Sequence, residues 1–450
     1  MDGQLKKKYG LFTAIAMVVG IVIGSGVFFK AEKVLTATGG NLPLGILAWI
    51  IGGLIMIVCA YTFSIMAGKY EKVNGVVDYA EATMGSRYAY YLGWFLAIVY
   101  YPTLTSVLAW VSARYTCVLF GFSITGGEAM VISCFYLIMS YMINSLSPVL
   151  AGKFQVSTTI IKLVPLLLMA VVGTVAGLSN GMIAENFTTV VEQVNPSTAL
   201  FTAVVATAFA YEGWIIATSI NAELKDAKKN LPKALVLGSL IVVCVYILYY
   251  VGLAGGISNE VMMQGGETGA RLAFEKIFSK VGGTALFVFV VISCLGTLNG
   301  LMMGCTRGMY ALAVRKVGPA PRIFGQIDKV TNMPTNSSIF GLFLCGIWLL
   351  YFYGANLTAP WFGPLCFDSS ELPIVTIYAS YIPIFLMLII KEKDFSFFNR
   401  FVMPILSIAG CIFMVVAAVF AHKIAVAWYL VVFAAIMIVG IFFSKPVEDI

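Results

Sequence analysis

Twelve charge-poor apolar runs, each about as long as a bilayer is thick, constrain this chain more than any other feature. They fall at 10–30, 43–67, 88–119, 128–147, 155–177, 198–220, 234–256, 281–312, 337–354, 371–390, 401–421 and 425–444. A helix of about 20 apolar residues spans the hydrocarbon core. Only 11% of the 450 residues are charged and 60% are hydrophobic, against about 25% charged in soluble domains. In lipid every backbone polar group must be paired internally, so an all-α integral membrane fold of twelve transmembrane helices is expected. The third and eighth runs are long enough to tilt.

Nineteen of the 28 Lys and Arg residues lie in loops on the side of the chain ends, among them Lys6, Lys7 and Lys8, and six lie on the opposite side. The positive-inside rule then predicts a multi-pass protein of the cell membrane, with residues 1–9 and 445–450 both cytoplasmic. The first run is too long for a signal-peptide core. The net charge of +7 calls for no nucleic-acid partner, because the basic residues follow these loops. No soluble domain can be cut out, and segment 178–197 is read as an extracellular amphipathic helix lying on the membrane. Nine cysteines without CxxC spacing read as small apolar side chains, and the single His422 as an interfacial residue. No cofactor or metal is implied.

Two runs are flawed in a corresponding way. The first contains Gly20-Ile-Val-Ile-Gly-Ser-Gly-Val-Phe28, with glycines at membrane depth. The sixth contains Thr207-Ala-Phe-Ala-Tyr-Glu-Gly-Trp214, with a carboxylate and a glycine in apolar surroundings. Each glycine weakens a helix by about 1 kcal/mol relative to alanine. Unwound backbone is tolerated in lipid only against protein or a cavity. Paired interrupted spans in two halves are the sequence mark of a secondary transporter site. Five spans separate them, an odd number that inverts the second unit. The expected organisation is a first repeat over 10–177, a second over 198–390, and two appended spans over 391–444.

At the first break the amides of Gly24, Ser25 and Gly26 suit a carboxylate at the start of a half-helix, and carbonyls around Ile23 suit an ammonium. Close packing through small residues is the competing explanation. At the second break Phe209, Ala210 and Tyr211 offer carbonyls and Gly213 a bend. Trp214 and, on the seventh run, Tyr246 are candidate gates. Glu212 is the one acid deep in a run, expected as an anchor for unwound amides more than as a direct ligand. Lys162, on the fifth run, lies too deep to snorkel and is expected to tie both broken backbones together, with Ser293 to Thr297 as candidate neighbours; it is also a candidate proton carrier.

With these residues in hand, the chain resembles the amino acid–polyamine–organocation superfamily. The match rests on the two breaks and on Glu223-Leu-Lys-Asp-Ala-Lys-Lys-Asn-Leu-Pro-Lys-Ala234. The Phe-Ala-Tyr-acid-Gly-Trp form most resembles the L-type exchangers, especially bacterial serine/threonine or alanine-serine-cysteine exchangers. The resemblance implies a leucine-transporter fold with a 5+5 inverted repeat, helices 1 and 6 discontinuous, and sodium-independent transport. It implies substrate contacts from Ile23, Gly24, Ser25, Gly26, Phe209, Ala210 and Tyr211, and a lysine, here Lys162, where sodium-coupled relatives bind an ion. Lys72-Val-Asn-Gly-Val-Val-Asp-Tyr79 departs from the family's proline and double glycine. No cysteine occurs in Gly121–Gly127, so no disulfide-linked ancillary subunit is expected.

The expected function is exchange of small neutral L-amino acids of the alanine, serine, threonine and cysteine class. Proton-coupled symport through Lys162 and transport of cationic amino acids or polyamines against Glu212 are the alternatives. A membrane enzyme is disfavoured by a single histidine and the lack of clustered carboxylates. A channel would need no coupled pair of breaks.

Overall fold

The computed structural model describes residues 10–70, 75–146, 148–216, 218, 224–357 and 359–445. Residues 1–9 with Lys6–Lys8, part of the 72–79 stretch, Glu223 and the C-terminal 446–450 lie outside these. Among the described residues twelve helical segments are long and apolar enough to cross a membrane. They are Leu11–Phe28, Leu42–Lys69, Ser86–Phe120, Gly127–Leu146, Lys153–Ser179, Pro196–Ile216, Ala227–Leu253, Thr268–Ala313, Thr335–Ala355, Leu372–Lys391, Phe398–His422 and Ile424–Phe442. Large apolar side chains such as Val131, Phe135, Ile160 and Leu430 stand exposed on the outside of the bundle. In water such a surface would drive association; in lipid it is the solvent-compatible face.

The first span is two helices, Leu11–Val22 and Gly26–Ala37. Ile23 between them is extended at φ −70°, ψ 104°. The sixth span starts at Pro196, where the Asn195 side chain caps the Ser197 and Thr198 amides. Its first helix ends at Ala210, and a turn through Gly213 at φ 102° follows. An L side chain rarely adopts that conformation, which is why the break falls at a glycine.

Other irregularities have local causes. Pro102 in the third span offers no N–H to the carbonyl four residues back, and Trp348 Nε1 donates to that Ile98 oxygen at 2.9 Å. The same stretch, Leu96–Tyr100, widens into a π turn. The long eighth helix is bent at Ser279, φ 65°, just before the expected start of its membrane-crossing part.

Packing surrounds the broken spans. The first half-helix, Leu11–Val22, lies against the fifth, seventh and eighth spans, and the second, Gly26–Ala37, against the sixth. Within segment 178–197, between the ends of the flanking helices, the short helix Met182–Thr188 forms. Asn186 pins it by donating to the carbonyls of Ala254 (2.7 Å) and Ile257 (2.9 Å), so polar bonding to a loop, more than an apolar face, holds it.

Candidate functional site at the two helix breaks

The two breaks touch through backbone. A Cβ at Gly26 would stand 2.4 Å from the Ala210 Cα, so only hydrogen fits there. Tyr246, buried on the seventh span, places its hydroxyl 2.9 Å from the Val22 carbonyl oxygen and 3.1 Å from that of Ala210. Its single proton serves one acceptor at a time, so one side chain addresses both broken helices.

Lys162 is fully buried and donates to the Gly20 carbonyl at 2.5 Å and to Thr297 Oγ1 at 3.2 Å. Thr297 in turn donates to the Ile23 carbonyl at 3.1 Å. Gln155 Nε2 also reaches the Gly20 oxygen, at 3.3 Å. The expectation that Lys162 ties both broken backbones is therefore corrected: its hydrogen bonds reach the first break and the eighth span, and Tyr246 reaches the second. The fifth span packs on the first half-helix of the first span and on the eighth, which puts Gly20 and Thr297 within the lysine's reach.

At the second break Glu212 accepts a hydrogen bond from the Tyr100 hydroxyl and another from the Gly213 amide. Its second oxygen, Oε2, has no protein partner among the described residues, although the side chain is buried. Tyr100 ends the π turn of the third span, so the extra residue in that turn helps to aim it. Tyr211 turns away: its hydroxyl donates to the Trp49 carbonyl at 2.9 Å, and its ring stands edge-on to Trp49. Trp214 packs between Phe63 and Tyr381, with ring centroids 5.9 and 6.2 Å away.

A narrow cavity lies between the breaks. Ile21, Val22, Gly24, Ser25 and Gly26 line it from the first span, and Phe209, Glu212 and Gly213 from the sixth. Leu104 and Leu108 of the third span and Thr297 and Leu301 of the eighth complete the wall. About 20 Å³ is open to the centre of a water molecule. One water needs about 10–15 Å³ on that measure, so the cavity has room for little more than one water. Ser25 Oγ, like Glu212 Oε2, is buried on this wall without a protein partner among the described residues.

Five of the eight expected contact residues thus line the cavity: Gly24, Ser25, Gly26, Phe209 and Gly213. Ile23, Ala210 and Tyr211 do not; the carbonyls of Ile23 and Ala210 face Thr297 and Tyr246. Lys162 and Tyr246 support the breaks from behind, and Trp214 sits on the side of the chain ends, off the cavity wall. Sequence reasoning missed Tyr100, Leu104, Leu108 and Leu301. Pro102 was the available signal for the third span, since a proline inside an apolar run marks irregular backbone; no signal singled out the leucines.

Twelve spans with two discontinuous helices meeting at a buried cavity are the architecture of a secondary transporter with the leucine-transporter fold. The structure is similar to that of MhsT in complex with L-phenylalanine, with a TM-score of 0.60 at 15% identity, covering 97% of this chain and all of that one. The chain belongs to the amino acid permease family, whose model matches residues 9–443. It is 30% identical to the serine/threonine exchanger SteT of Bacillus subtilis (strain 168) over 420 residues, 92% of this chain and 91% of that protein. It is 26% identical to the human b(0,+)-type amino acid transporter 1 over 367 residues, covering 77% and 74% of the two chains.

Proposed function

We propose that the protein exchanges small neutral L-amino acids across the cell membrane by alternating access, without sodium, and with both termini in the cytoplasm. The observation that carries this reading is the buried Lys162 ammonium. It occupies the Gly20 carbonyl and the Thr297 hydroxyl, the kind of oxygen donors that a coupling cation would need. An ammonium held there would supply that charge in place of sodium.

The substrate carboxylate is assigned to the amides of Gly24, Ser25 and Gly26, at the positive end of the half-helix Gly26–Ala37. The amino group is assigned to carbonyls of the two breaks. Those of Val22 and Ala210 now face Tyr246, so seating a substrate there would require the tyrosine to yield. Leu104, Leu108 and Leu301 are the apolar wall that would face a small substrate side chain. The test is exchange in proteoliposomes. Labelled serine or alanine should enter vesicles loaded with unlabelled amino acid, with or without sodium, and enter empty ones poorly. Equal uptake into empty vesicles would sink obligatory exchange, and a competition panel of the twenty amino acids would define the substrate class.

Proton-coupled symport is the second reading. Lys162 bonds a carbonyl and a hydroxyl, neither of which holds its charge as a carboxylate would. Uptake into empty vesicles driven by a pH gradient, and lost in Lys162→Ala, would favour it. Glu212 Oε2, without a protein partner among the described residues, favours cationic substrates as a third reading, which competition by arginine would reveal.

A further inference from the structure

A cluster of charged side chains lies between the site and the face opposite the chain ends. Lys30 belongs to the outer half of the first span, one turn beyond Gly26. Its Nζ lies 2.5 Å from Glu371 Oε1 and 3.2 Å from Ser370 Oγ, at the start of the tenth span. The other carboxylate oxygen, Glu371 Oε2, lies 2.9 Å from His422 Nε2 at the end of the eleventh span. The three side chains are only 3%, 9% and 16% exposed. The Lys30 ammonium also stands 5.4 Å above the ring of Phe209, which lines the cavity. One carboxylate therefore joins three spans directly over the site.

We propose that Lys30, Glu371 and His422 form a latch that holds this face of the site closed, and that protonation of His422 tightens it. The charge count gives the direction. Asp368 is fixed by bonds from the Ser370 hydroxyl and the Ser370 and Glu371 amides, and its charge acts on both Lys30 and His422. The remaining nearby charges are Glu32, on the helix of Lys30 and offset by Lys33 at 4.0 Å, and Lys423, whose side chain is exposed. With neutral His422, one buried cation faces two carboxylates. With protonated His422, two face two. Desolvated charges are tolerated best when balanced and bonded, so acid on this face favours the closed cluster. Burial pushes the Glu371 carboxyl up, but Lys30 and His422 outweigh it and hold it at about 2, so Glu371 stays ionised throughout the range in which a histidine titrates. The geometry stands without the transporter reading; only its consequence, slower opening toward this face in acid, rests on that reading.

The experiment is hydrogen–deuterium exchange of segment 26–37 in lipid nanodiscs at pH 5.5 and pH 8, for the wild type and His422→Gln, corrected for intrinsic exchange. A charge-assisted bond is roughly twice as strong as a neutral one, so the wild type should gain about threefold protection in acid and His422→Gln should gain none. An equal acid gain in both proteins overturns the latch. If His422→Gln is not monodisperse, Glu371→Gln should likewise lose the acid gain, and keeping it would overturn the latch equally. Exchange transport that slows with external acid in the wild type alone supports the gating consequence. If no amino acid is transported, the transporter reading fails while the hydrogen-exchange result still decides the latch.

Discussion

The Lys162 ammonium sits 2.5 Å from the Gly20 carbonyl oxygen, in the last turn of the first half-helix, where the helix dipole is negative and carbonyls lack intrahelical partners. Through Thr297 it also reaches the Ile23 carbonyl. A lysine on the fifth span thereby caps a helix end on the first. Replacing it with alanine removes a charge-assisted bond worth about 1.5–3 kcal/mol. Lys162→Ala should remain monodisperse and lose about 10- to 100-fold in exchange rate in proteoliposomes. Wild-type exchange in that variant would remove Lys162 from the mechanism.

Tyr246→Phe keeps the ring against Trp49 and Tyr211 and deletes only the hydroxyl shared by Val22 and Ala210. A net hydrogen bond is worth about 1 kcal/mol, so thermal stability should change little. Losing the link between the breaks should alter the KM for substrate by about fivefold, because it changes how the two breaks are held relative to each other. An unchanged KM would make Tyr246 packing alone.

Gly26→Ala tests the contact between the breaks. The added methyl meets the Ala210 Cα at 2.4 Å, a main-chain atom that cannot rotate away. Overpacking of this kind costs about 1–3 kcal/mol and would push the half-helices apart. Exchange should fall to background while the protein still inserts, as judged by size-exclusion behaviour. Retained exchange would show that the breaks are not required to touch.

Leu301→Ala enlarges the cavity wall on the eighth span, away from the amides assigned to the carboxylate. A change of one to a few methylenes in an apolar pocket is worth about 1–3 kcal/mol of discrimination. The competition panel should shift by about tenfold toward larger neutral side chains. An unaltered panel would place the side-chain subsite elsewhere.

Acid should expose the contribution of Glu371 to stability. Its carboxyl is held at about 2, below the usual 4.5, because Lys30 and His422 outweigh the effect of burial. The unfolded chain therefore binds that proton more readily than the folded one, and stability rises with pH across this interval. The contribution is complete above about pH 4.5 and fades as pH falls toward 2. Glu371→Gln should lower the unfolding temperature at pH 7, with a cost of about 3 kcal/mol for stranding a buried cation, and the gap to wild type should close at about pH 2–3. A gap independent of pH would assign the loss to packing.

Much of this architecture was legible along the chain. Twelve apolar runs specify twelve spans because burying backbone in lipid leaves helices as the available solution. Gly24, Gly26 and Gly213 announced the breaks, since helix propensity is a local property. Glu212 and Lys162 stood out because charge at membrane depth is costly wherever it folds. What each of these groups would touch was another matter. The bond from Lys162 crosses 142 positions to Gly20, and the bond from Lys30 crosses 341 to Glu371.

His422 shows the boundary between the two kinds of information. As a lone histidine in a short turn it carried no signal, and only the packing of the eleventh span against the tenth set it on Glu371. Trp214 shows it from the other side: a ring that looked like a gate in sequence packs against Phe63 and Tyr381, clear of the cavity. Hydropathy and helix-breaking act residue by residue, so sequence alone determined the number of spans and where two of them fail. Partner choice depends on which helix faces meet, and that is settled by side-chain packing among segments hundreds of residues apart, which only the tertiary structure decided.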